Sequence, residues 1–148
     1  MAIFDAMLEL FDNQEISNAD KTSSVLDFGA ADLEMGAGEP LWLCIRTGDA
    51  FTNGTNLVFT LYTHTSSTGI PSGGTALYAV TFDQTALTAA GAGEFLLRMP
   101  LPYNVVDKQY VALHIAQTGV FDGGTIDAWI SVGAPSTSFD TQVASSTI

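Results

Sequence analysis

Leu57-Val58-Phe59-Thr60-Leu61-Tyr62, read LVFTLY, sets Leu57, Phe59 and Leu61 on one side of the chain and Val58, Thr60 and Tyr62 on the other. A repeat of two is the spacing of an extended strand with one face buried, because successive side chains on a strand point to opposite faces. The same period returns along the chain. Phe95, Leu97 and Met99 alternate with Glu94 and Arg98, and Val111, Leu113 and Ile115 with Tyr110, Ala112 and His114. Ile126, Ala128, Ile130 and Val132 alternate with Asp127, Trp129 and Ser131.

Working outward, eight strands are expected, near 4–11, 23–28, 41–47, 56–64, 76–82, 94–99, 109–117 and 125–132. In the first, Ile3, Phe4, Met7, Leu8 and Phe11 would also line one face of a helix; the segment is read here as a strand. Asn53-Gly54, Ser72-Gly73-Gly74, Gly91-Ala92-Gly93 and Asp122-Gly123-Gly124 supply turn chemistry between strands. Short strands without crossover helices imply an all-β fold: an antiparallel β-sandwich, most simply a jelly roll of about eight strands. One domain is expected over 1–133. Residues 134–148, small and polar apart from Phe139, read as a tail that lies along a partner or frays.

Composition narrows the function. Apolar residues make up 47% of the 148 and charged residues 14%, which suits a folded domain rather than disorder. Its apolar runs fall far short of the roughly 20 residues needed to span a bilayer as a helix. Residues 1–11 carry Asp5 and Glu9 and no basic leader, so no secretory signal is expected there. Sixteen acids stand against Lys21, Arg46, Arg98 and Lys108, for a net charge of −12. Nucleic acid and anionic membrane are thereby disfavoured, since both need clustered cations. An acidic surface suits a basic protein partner. Cys44, the one cysteine, lies among Trp42, Leu43 and Ile45 and reads as a buried, inert thiol.

The stretch Asp27 to Pro40, DFGAADLEMGAGEP, invites a phosphate or metal reading. A kinase-type DFG needs partners that the chain does not hold, and Gly36-Ala37-Gly38 lacks the third glycine and following helix of a dinucleotide loop. Asp27, Asp32, Glu34 and Glu39 do not have EF-hand spacing. His64 and His114 sit in strand patterns and read as exposed strand-face histidines, with no nucleophile elbow and no His-x-His pair. No enzyme, cofactor or metal is expected. Trp42 and Trp129 fall opposite the core faces of their strands and are candidates for an interface.

Residues Asn18 to Phe51 carry a resemblance. Val25-Leu26-Asp27-Phe28-Gly29, the turn from Asp32 to Leu41 and the Phe51-Thr52 pair resemble the Bbp16-like capsid cement (decoration) proteins of short-tailed bacteriophages. Later segments, Leu96 to Pro102 and Tyr110 to Ile115, match in kind. The loop from Ala30 to Met35 is longer and less basic than its arginine-containing counterpart in that family, and the Ser-rich tail has no clear one. The resemblance implies a jelly roll with a non-enzymatic structural role on the outside of an icosahedral head, made in the host cytoplasm. It further implies association with copies of itself, as dimer or trimer, and bridging of major capsid proteins. Capsid or subunit contacts are then expected at Phe4, Phe11, Asp27, Asp32, Glu34, Trp42, Trp129 and Phe139. The alternative is a carbohydrate- or receptor-binding jelly-roll module of a tail or fibre.

Overall fold

The computed structural model describes residues 8–30, 40–102 and 107–132. Within them lie nine strands: β1 (Glu9–Glu15), β2 (Lys21–Thr22), β3 (Leu26–Asp27), β4 (Leu41–Thr47), β5 (Asn56–His64), β6 (Thr75–Asp83), β7 (Phe95–Pro100), β8 (Tyr110–Thr118) and β9 (Thr125–Val132). A single helix, α1 (Gln84–Ala89), separates β6 from β7. All strand pairs are antiparallel, and they form two sheets, β1-β9-β4-β7 and β2-β8-β5-β6, with β3 also on β8. The result is an all-β sandwich.

Pairings nest. β5 pairs with β6, β4 with β7, β2 and β3 with β8, and β1 with β9. Each step outward along the chain moves to the other sheet. Between the sheets, Leu57, Phe59 and Leu61 of β5 meet Leu43 and Ile45 of β4, Val111, Leu113 and Ile115 of β8, and Ile126 and Ile130 of β9 in one core. Each of these side chains is at most 2% exposed, as the period of two requires. Val132, expected to face inward, ends its strand 63% exposed.

Three segments depart from the expected elements. Of the first expected strand, 4–11, residues 4–7 lie outside the described set, and β1 begins at Glu9 and runs on to Glu15. The expected strand 23–28 keeps only the two-residue β3, with β2 just ahead of it, because Ser23 substitutes its side chain for part of the ladder. Its hydroxyl accepts from the Leu113 N–H at 2.9 Å and donates to the Ser24 carbonyl at 2.8 Å, while the Ser24 N–H turns to Leu10 of the other sheet. Helix α1 sits where only a connection was expected. Asp83 caps it, accepting from the Ala86 N–H at 2.8 Å, and Leu87 anchors it in the core. Six residues with one buried leucine leave too short a stripe to register as helical periodicity. The 134–148 tail lies outside the described residues.

Candidate functional site

The outer face of the sheet β1-β9-β4-β7 gathers the chemistry-bearing side chains. Along β4 the residues facing away from the core are Trp42, Cys44 and Arg46, and along β9 they are Asp127, Trp129 and Ser131. Register places Trp42 opposite Ser131, Cys44 opposite Trp129, and Arg46 opposite Asp127. Directly opposed side chains on one sheet face lie close enough to interact. Arg46 Nη2 donates to Asp127 Oδ2 at 3.0 Å, and its guanidinium lies 5.7 Å from the centroid of the Trp129 ring.

Phe95 joins this face against the sequence reading. Strict alternation puts it inward with Leu97 and Met99, yet a register shift between Ile45 and Arg46 leaves it opposite Arg46. There it packs on Trp129 at 5.7 Å between ring centroids, and Arg98 lies over it at 5.0 Å. A β-bulge re-aims a side chain in this way, and no period-two pattern announces one. Two of the chain's four Lys and Arg residues therefore lie over the Trp129 and Phe95 rings, on the face that also carries Trp42. Asp127 pairs with Arg46, and Glu9 stands opposite Trp129. Glu9 has its pKa raised above the ordinary carboxylate value, first by partial burial and then by Asp12 and Asp127 nearby.

Cys44 is fully buried between the Trp129 and Arg98 rungs of its sheet. Burial pushes its thiol up to about 12, against a smaller opposing pull from Arg98. At pH 8 the thiol form therefore prevails, and the thiolate is the reactive form. Alkylation by iodoacetamide followed by mass spectrometry is expected to leave the folded chain unmodified and to add one group after unfolding in urea.

The remaining site candidates divide. Phe11 is 4% exposed in the core rather than at a surface. The register shift between Glu9 and Phe11 brings Leu10 and Phe11 both inward, so its place as an interface residue is corrected. Asp27 is exposed, and its Oδ1 accepts from Gln109 Nε2 and from the Gly29 N–H, each at 2.8 Å. These bonds, Gln109's first, hold its pKa below the ordinary carboxylate value. Within the DFG tripeptide, then, the carboxylate secures a turn. Phe4, Asp32, Glu34 and Phe139 lie outside the described residues.

Neither histidine stands fully exposed. His114 Nδ1 is bonded to Thr22 Oγ1 at 3.0 Å, its Nε2 is 3.8 Å from Asp20, and the ring meets Tyr62 edge-on. His64 Nδ1 accepts from the Ser66 N–H at 2.7 Å. Among the described residues there is no group of three or more His, Cys, Asp or Glu able to hold a metal ion, and no helix long and apolar enough to cross a membrane. No protein-family model matches this chain, and no curated protein matches it.

Proposed function

We propose that this chain is a non-enzymatic cement, or decoration, protein that binds the outer surface of an icosahedral phage capsid and bridges neighbouring major capsid proteins. The observation that carries the reading is the outer face of β1-β9-β4-β7. Trp, Phe and Arg are among the residues enriched where proteins bind proteins, and here they interleave on one sheet face of an otherwise acidic chain. The sandwich itself is read as a jelly roll. Nested pairs that alternate between two sheets are what a single long hairpin makes when it rolls up. Such a fold closes on its own core and presents broad faces for contact. Repetition over a lattice then multiplies a modest affinity at each site, often by ~10²–10⁴.

A receptor- or carbohydrate-binding module of a tail or fibre is the second reading, and the same aromatic face is what favours it. It is the weaker of the two, because Arg46 over the Trp129 ring and Phe95 beside it occupy ring surface on which a sugar would stack.

Quantitative mass spectrometry of density-gradient-purified particles tests the proposal. Copies equal to the major capsid protein, or a simple fraction of it, support a lattice-wide cement. A few copies per particle move the protein to a tail or fibre, and absence from particles defeats both virion readings. Arg46→Ala is expected to lower particle occupancy at least ~10-fold, as loss of a well-packed interface arginine does. Chain stability should fall by no more than about 1 kcal/mol, since Arg46 is 41% exposed and its ion pair is partly solvated.

A further inference from the structure

The two sheets have four edges, and three of them are blunted. β1 is broken by two register shifts and carries Glu9, Asp12 and Glu15. β7 bears Arg98 and ends in Pro100. β2 and β3 are two residues each. Bulges, charges, proline and shortness are the devices by which natural sheets keep their edges from pairing. β6 has little of this. It runs nine residues, contains no proline and no charge before Asp83, and keeps an unbroken register with β5 from Tyr78 onward. Among the described residues nothing pairs with it on the side away from β5. Every second N–H and C=O of the strand therefore points outward as an open ladder.

We infer that β6 is a self-association edge, pairing antiparallel with β6 of a second copy of this chain to join two five-stranded sheets into one continuous sheet. Charge selects this occupant. Residues 50–82, between Asp49 and Asp83, contain no Asp, Glu, Lys or Arg, in a chain carrying −12. Two such chains repel wherever their acidic surfaces meet, and β6 lies on the neutral stretch where that cost is least. A basic partner would gain nothing there. Antiparallel self-pairing about Ala79 or Val80 sets no acid opposite an acid, and it is the two-fold, self-complementary contact usual in dimers. Leu77, Tyr78, Val80 and Phe82 pack on the core yet stay partly exposed, so an added strand would cover apolar surface as well as backbone.

This adds a self-association surface to the proposed capsid role, and it is tested on isolated protein, so its failure leaves the capsid assignment standing. Light scattering after gel filtration is expected to report twice the 15.6 kDa chain mass. Ala79 is exposed and opposite Thr60 on the outer face, so A79E and A79K leave the core alone. Each variant alone is expected to weaken dimerisation at least ~10-fold through like charges brought together. Mixing the two should restore the dimer, and Thr81→Lys, also exposed, gives an independent disruption. A cooperative thermal unfolding transition in the monomeric variants shows that they fold, at a midpoint lowered only by the lost dimer stabilisation. A wild-type monomer overturns the inference, as does a dimer indifferent to these charges. Outward β6 amides protected from hydrogen exchange only on particles would likewise overturn it, assigning the edge to a strand of another protein.

Discussion

Phe59→Ala is expected to lower the free energy of unfolding by about 3–5 kcal/mol, read as a fall in the urea midpoint with the slope unchanged. Phe59 is 1% exposed and stands on β5, which is paired on both sides, by β6 and by β8. Its ring meets Phe82 edge-to-face at 5.8 Å. Truncation removes that contact and opens a cavity that hydrogen-bonded strands on either side cannot close. Thr60→Ala is the matched control. One residue along, it lies on the outer face, and its replacement should stay within about 0.5 kcal/mol. Equal effects at the two positions would contradict the observed facing of β5.

Gly124→Ala is expected to cost about 2–6 kcal/mol, combining backbone strain with overpacking. Gly124 holds φ at +115°, a region that L side chains rarely adopt, and a Cβ there would overlap the ring of Phe51. Gly54, at φ +104°, stands in the same relation to Phe121. The two rings pack edge-to-face, 5.9 Å apart, each against a residue that has no side chain. Gly124 also accepts from the Ile16 N–H at 3.1 Å, which ties the end of β1 to this clasp. Gly93→Ala separates the two costs. Its φ is +74°, but nothing lies within 4 Å of a Cβ, so thermal unfolding should show only the strain, about 1–2 kcal/mol. A Gly124 variant no worse than the Gly93 variant would remove the packing account.

Much of the sandwich is legible in local pattern. Strands β4, β5, β8 and β9 lie within a residue or so of their expected spans, because each has enough alternating apolar residues for burial to choose one face. The facing of Trp42 and Trp129 follows from the same alternation. What misled the reading at Phe95, Phe11 and Ser23 was an interruption of that period. Phe95 and Phe11 both sit beside register shifts, which change a side chain's facing without changing its neighbours in sequence. Ser23 exchanges a ladder bond for side-chain bonds to a strand ninety residues away, and no local propensity encodes that.

By itself, then, the sequence determined the class of fold, the inward faces of the long strands and the absence of charge across residues 50–82. These are local properties, fixed by the two-residue repeat and by composition. Tertiary structure alone decided which strands neighbour which, where the bulges fall and which edge is left open. Those depend on closing contacts between residues far apart in the chain, so Phe95, Trp129, Arg46 and Arg98 become one surface only once β4, β7 and β9 lie side by side.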